Sequence, residues 1–173
     1  MEEADTETGD AEAETRGMLS LVFSPTRLVI SPSRAVLNWR MRLANNGDAH
    51  IVALRIWSEL ASAHRSEPGR DQLRGPDMQT ARLHTADIVA PGDGVDLSGE
   101  WQIERGAMRA IGTPAEPLLL PLVRLRMIGA GMLPDIRTLA VGMHPAGEGD
   151  RVRPIPLKGD MQVHSRLAAQ PIG

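Results

Sequence analysis

The sequence predicts an all-β, antiparallel sandwich of about seven strands, preceded by an acidic segment and followed by an irregular C-terminal extension. Three observations predict it. Apolar residues recur at period two through much of the chain, and glycine- and proline-bearing turns separate these runs. No stretch carries apolar residues at helical spacing over the ten or more residues that a βα alternation needs.

The first long strand is the clearest. Ala35, Leu37, Trp39, Met41 and Leu43 alternate with Arg34, Val36, Asn38, Arg40 and Arg42, the pattern of a half-buried strand. Asn46-Gly47-Asp48 follows as a turn phrase, and residues 50–60, with Ile51, Val52, Leu54, Ile56 and Trp57, read as the returning arm of a β-hairpin. Ahead of it, Leu19, Leu21 and Phe23 alternate up to Pro25, and Leu28-Val29-Ile30 resumes. A proline there points to an edge strand or a bend. Residues 61–79 read as a long loop and 81–89 as extended. Pro91-Gly92-Asp93-Gly94 turns into a strand with Val95, Leu97, Gly99, Trp101 and Ile103 on one face. Residues 104–116 fit a short helix or a loop. Residues 117–128 form a strand in which Val123, Leu125 and Met127 alternate with Arg124 and Arg126. Gly129-Ala130-Gly131 turns the chain and 136–143 returns it. Prolines break the last thirty residues into short extended pieces at 151–157 and 161–167. The expected core is Leu37, Trp39, Met41, Leu54, Ile56, Trp101, Leu125 and Val141.

Composition removes several functions. With 173 residues and no cysteine, the chain suits one domain that cannot hold disulfides, zinc–thiolate sites or a thiol nucleophile. Its only aromatic residues are Phe23, Trp39, Trp57 and Trp101, too few for stacking single-stranded bases. The net charge of −3 is a cancellation. Residues 1–16 hold seven acids against one arginine, a net −6, while the other 157 residues hold 18 bases against 15 acids, a net +3. Residues 1–17 are therefore expected to be a disordered acidic tail or linker, and 18–173 the folded domain. The longest apolar stretch, residues 118–123, is far short of the roughly 20 residues a membrane helix needs. The acidic start also lacks a secretory pattern.

The segment SPTRLVISPSRAVLNWRMRLANNGDAHIVALRI, with DIVAPGDGVDLSGEW after it, resembles bacterial immunoglobulin-like modules. The likeness rests on Asn46, Gly47 and Asp48, then on Ala90, Pro91, Gly92 and Asp93. Bacterial cell-adhesion-related domains and the first domain of periplasmic pilus chaperones share this phrasing. The chain is more similar to an alphaproteobacterial family of single immunoglobulin-like domains, often preceded by membrane-spanning segments. That likeness runs through SRAVLN, LPLVRLRM, AVG and RLAAQP. It implies an immunoglobulin-like β-sandwich attached to the cell envelope, held by an upstream anchor that this chain lacks. Unlike pilus chaperones, the chain has residues for only one sandwich, which argues against strand donation and leaves a sheet edge for binding.

Site chemistry is sparse. His50, His64, His84, His144 and His164 show no metal-ligand spacing. No G-x-S-x-G elbow surrounds Ser98, and the G-x-G triplets at 92–94, 129–131 and 147–149 neither extend nor open a helix. Glu100 and Glu104 would suit a glycosidase only across a cleft. No cofactor, metal or catalytic residue is assigned, and a +3 body leaves a weak footprint for nucleic acid. Arginines remain. Arg40, Arg42, Arg55, Arg124 and Arg126 alternate with apolar residues, and would form one guanidinium ladder if their strands are neighbours in one sheet. That face, or a free edge strand, is the expected docking surface for a protein partner. A solvated face of weak salt bridges is the plainer account. The expected function is a non-enzymatic interaction or assembly module. The alternatives are a structural subunit, or a carbohydrate-binding or hydrolytic domain, the last of which requires a concave polar pocket.

Overall fold

Thirteen extended segments and one 3-10 turn make up the regular structure of this computed structural model, which describes residues 13–16 (backbone only), 18–64, 72–147 and 151–172. In order these are β1 (Ala13–Arg16), β2 (Leu19–Ile30), β3 (Arg34–Asn45), β4 (Ile51–Ser62), β5 (Arg82–Val89) and β6 (Gly94–Glu104). The 3-10 turn Arg105–Ala107 follows. After it come β7 (Ile111–Gly112), β8 (Pro117–Leu119), β9 (Pro121–Ala130), β10 (Asp135–Met143), β11 (Ile155–Pro156), β12 (Gln162–His164) and β13 (Leu167–Ile172). The protein is all-β, and every strand pairing is antiparallel.

Two sheets enclose the core. The first orders β1-β2-β3-β6, with β12 beside the far end of β2; the second orders β13-β10-β9-β4-β5. A small sheet of β11, β8 and β7 stands apart. Alternation decides what faces inward. On β3, Ala35, Leu37, Trp39, Met41 and Leu43 are buried, while Arg34, Arg40 and Arg42 are exposed. All eight expected core residues are buried. Trp39 and Trp101 stack with centroids 4.3 Å apart, and Phe23 lies 5.8 Å from Trp101, so three of the four aromatic rings form one slab. The Trp101 indole N–H donates to Ser58 Oγ at 2.9 Å, joining the two sheets through the core.

The expected hairpin between β3 and β4 does not form. β3 pairs with β2 and β6, β4 pairs with β5 and β9, and residues 46–50 carry the chain from one sheet to the other. Asn45 explains the crossing. Fully buried at the end of β3, its side chain donates to the carbonyls of Ala49 (2.8 Å) and Val89 (2.9 Å) and accepts the Gly47 N–H (2.9 Å). Its backbone N–H donates to the Asp93 carbonyl and its carbonyl accepts from Gly92. One residue thus stitches the crossing to the end of β5 and to the turn before β6. Gly47 lies outside the positive-φ region that a two-residue hairpin turn would need. The hairpin partner of β3 is β2, through Ser31-Pro32-Ser33, with the Ser31 N–H donating to the Arg34 carbonyl.

Other elements divide similarly. Residues 90–93 form the expected turn, with Pro91 second, Gly92 third at φ +85°, and the Asp93 N–H donating to the Ala90 carbonyl. β9 and β10 return on each other as expected. The strand expected over 117–128 is two, because Pro121 parts β8, in the small sheet, from β9. Residues 104–116 hold the 3-10 turn and β7. β2 is continuous, but its register with β3 shifts between Pro25 and Arg27. On its other edge β1 ends opposite Val22 and β12 begins opposite Leu28, so Pro25 falls where no ladder donor is required. The irregular C-terminal extension is corrected too: β13 is an edge strand of the second sheet with Leu167, Ala168 and Ala169 buried. Its short, small-residue run is too brief to show a period. Of the expected tail, residues 1–12 and 17 lie outside the described residues, and residues 13–16 pair as β1.

Asn45→Ala removes two donors from buried carbonyls and one acceptor from a turn N–H. It is expected to cost about 2–4 kcal/mol, read from the urea midpoint. Asn45→Asp, which sets a carboxylate against the same carbonyls, is expected to be at least as damaging.

Candidate surfaces and the polar cleft

Because β3 lies in the first sheet and β4 and β9 in the second, the five arginines expected on one face are divided between two. On the first sheet, Arg40 and Arg42 project outward from β3 beside Val22 and Ser24 of β2, and Arg27 lies opposite Asn38. The neighbouring β6 turns Asp96, Ser98, Glu100, Gln102 and Glu104 to the same side. Arg42 Nη1 meets Asp96 Oδ2 at 2.9 Å, with side chains 50% and 76% exposed, a solvent-screened pair of little energetic weight. Arg34 Nη1 donates to Gln102 Oε1 at 3.3 Å. Arg27 and Arg40 have no ion pair with any described residue. A shallow groove of about 330 Å³ runs between Val22, Ser24, Arg40, Arg42, Asp96 and Ser98.

The three arginines of the second sheet behave differently. Arg55 is exposed and its guanidinium stands 5.2 Å from the Trp57 ring, which lies on this outer face rather than in the core slab. Arg124 is buried and meets Glu59 at 3.4 Å, the two side chains 4% and 20% exposed. Arg126 is half-buried, and a Cβ built on Gly75 would lie 3.2 Å from its Nη2. The segment around residues 75–77 therefore covers this face, and the Asp77 N–H reaches Glu59 Oε1 at 3.3 Å. Arg124 and Arg126 are thus withdrawn from any docking surface. A run of alternating arginines carries the same signal whether its outer face is open or covered, so the sequence could not separate them.

Sequence reasoning missed Arg137. It points into the sandwich from β10, fully buried, with Nη2 2.9 Å from Asp135 Oδ2 and 2.7 Å from the Leu19 carbonyl of the first sheet. Its neighbour Asp135 in the same strand is the signal available in the sequence, since two residues on share a strand face.

A larger cleft of about 860 Å³ opens beside the covered face. Its polar lining comes from Glu59, His64, Arg74, Asp77, Arg109 and Arg124. The described residues thus include the kind of polar concavity that a carbohydrate-binding or hydrolytic reading requires. Glu100 and Glu104, by contrast, stand on the outer face of the first sheet and do not line it. No group of three or more His, Asp or Glu among the described residues could hold a metal ion.

His84 is held off its ordinary value. It projects from β5 edge-on to Trp39, centroids 5.6 Å apart, and its Nε2 is buried without a hydrogen-bond partner. Burial first, and the charge of Arg82 second, lower its pKa below 6.5.

No protein-family model matches the chain, and no curated protein matches it in sequence. Among solved structures it is similar to the crystal structure of a protein assigned as ApaA from Bordetella pertussis. The two share 12% identity and a TM-score of 0.29, over 70% of this chain and 89% of that one. A likeness at that level transfers nothing to this chain. No helix among the described residues is long and apolar enough to cross a membrane.

His84 gives a pH prediction. Its charged form is disfavoured in the folded state, so the unfolded chain takes up the proton more readily below about pH 6.5. Stability is expected to be full above that value and to fall as the pH drops through it. Comparing urea midpoints at about pH 7.5 and about pH 5.5 checks this, with the decrease smaller in His84→Gln.

Proposed function

We propose that the chain is a non-enzymatic protein-interaction module that docks a partner on the outer face of the first sheet, around Arg27, Arg40 and Arg42. The observation that carries this reading is that Arg27 and Arg40 stand exposed on an open strand face, without an ion pair among the described residues, and that Arg40 and Arg42 share a groove with the exposed Val22. Guanidinium groups next to an apolar side chain suit a desolvated protein contact. The +3 body favours protein over a phosphate backbone. The unpaired edge of β6, the neighbour of β3, adjoins this region and offers a backbone route for the same partner.

The strand connections support an immunoglobulin-like identity for the sandwich. With β2, β3, β4, β5, β6, β9 and β10 taken as A, B, C, C′, E, F and G, the sheets become A-B-E and C′-C-F-G, the division such domains share. The sequence likeness to anchored alphaproteobacterial domains supports an envelope-attached accessory role.

The polar cleft favours a second reading, a domain that binds a polar small molecule between Glu59, Asp77 and Arg109. Its residues come from four segments of chain, which makes it a shaped concavity rather than a strand face.

Two measurements separate these readings. Charge reversal of Arg27, Arg40 and Arg42 to glutamate is expected to abolish capture of partners from a bacterial envelope extract, while Arg55→Glu leaves capture intact. Equal capture by both variants would remove the first-sheet surface. Titration with neutral and acidic saccharides is expected to leave the melting temperature unchanged. A saturable rise that disappears in Asp77→Ala would move the function to the cleft.

A further inference from the structure

Where β12 ends in the first sheet and β13 begins in the second, the chain borders a concavity of about 450 Å³. Its polar lining is His144, Arg153, His164, Ser165 and Arg166, drawn from three segments of chain, and no carboxylate among the described residues lines it. Arg153 is held in place. Its backbone exchanges hydrogen bonds with Met143, N–H to carbonyl at 2.8 and 3.0 Å, and a Cβ on Gly142 would collide with the Arg153 carbonyl. The Arg153 Nε then donates to the His144 carbonyl at 3.0 Å, which leaves both Nη groups without a partner among the described residues. His164 is set by Gln162. The Gln162 Oε1 accepts the Lys158 N–H at 2.9 Å, and its Nε2 donates to the Pro156 carbonyl at 2.8 Å. The remaining amide N–H faces His164 Nε2 at 3.1 Å, so that ring nitrogen accepts and the proton sits on Nδ1. Neither Nδ1 nor the exposed Arg166 guanidinium has a hydrogen bond or ion pair with a described residue.

We propose that this concavity binds a phosphomonoester group, with Arg153 and Arg166 on its oxygens and the His164 Nδ1–H as a further donor. Two permanent cations with no acid beside them repel a metal ion and call for an anion. A phosphomonoester carries about −1.5 to −2 near pH 7 and three acceptor oxygens, which matches two guanidinium groups and an imidazole N–H. A carboxylate would leave half of that charge unmet. Met143, Pro145 and Val163 line the same concavity and offer an apolar wall to the organic part of the ligand. One phosphate group needs only these few donors, unlike a nucleic-acid backbone, for which a +3 body is a weak footprint. The site shares no residue with the first-sheet groove or the polar cleft, and it stands independently of both readings given above.

Titrating the isotope-labelled full chain with inorganic phosphate, chloride being exchanged to hold ionic strength constant, tests this. The amide signals of Arg153, His164, Ser165 and Arg166 are expected to shift saturably, while those of Arg40 and Arg109, in the groove and the cleft, stay in place. Arg166→Gln breaks no bond with a described residue and is expected to weaken binding about tenfold, the loss of one charge-assisted contact. Arg153→Gln should weaken it by a similar factor, and if that variant also unfolds more readily, Arg166→Gln alone decides. Absence of a saturable shift, equal shifts at all three arginine surfaces, or unchanged affinity in Arg166→Gln would overturn the proposal. Two further arms separate the sources of the group. Glycerol phosphate reproducing the phosphate shifts supports a soluble ligand. Loss of the same signals with phosphatidylcholine vesicles only when they contain phosphatidic acid supports a lipid headgroup.

Discussion

Asn45 decides how the two sheets share the chain. An asparagine with no exposed surface must satisfy both ends of its amide, and here it does so on Ala49, Val89 and Gly47. Those partners belong to the crossing after β3 and to the end of β5. A hairpin at 46–48 would leave β4 beside β3 and remove Val89 from reach. The amide therefore favours a crossing over the hairpin that the local turn residues suggest. Once the chain crosses, β2 and β6 flank β3, and β5 and β9 flank β4. The slab of Phe23, Trp39 and Trp101 then lies between sheets rather than on one of them.

The distribution of charge follows from that crossing. Arginines that alternate identically in sequence land on two outer faces with different surroundings. On the second sheet, the segment around Gly75 and Asp77 lies over Arg124 and Arg126, and Glu59 partners Arg124. A buried guanidinium needs such a partner, because desolvating it without one costs several kcal/mol. Arg137 follows the same rule from inside the sandwich, with Asp135 and the Leu19 carbonyl. On the first sheet nothing among the described residues covers Arg27 or Arg40. The surface charge available for recognition is thus narrower than the arginine count implies.

Much of the fold was legible because period-two alternation marks buried faces directly. Every residue expected in the core is in it, and the turn at 90–93 stands where glycine and proline place it, whereas Gly129 and Ala130 end β9 and the turn expected at 129–131 begins at Gly131. β13 escaped notice because Ala168 and Ala169 carry little periodic signal. The split at Pro121 is marked by a proline that also fits a continuous strand. Trp57 is buried as well, but under Arg55 on the outer face of the second sheet rather than in the aromatic slab. The candidate surface was half legible: Arg40 and Arg42 are on it, Arg27 was passed over, and Arg124 and Arg126 are covered.

By itself the sequence determined the all-β class, the buried face of β3, and the opposition between a −6 start and a +3 remainder. These depend on properties of neighbouring residues, which a linear pattern records. Only the tertiary structure decided which strands share a sheet, which arginines remain open, and that a polar cleft forms between segments far apart in the chain. Strand partnership is set by long-range bonds such as those of Asn45 to Val89, 44 residues away, and no local period encodes them.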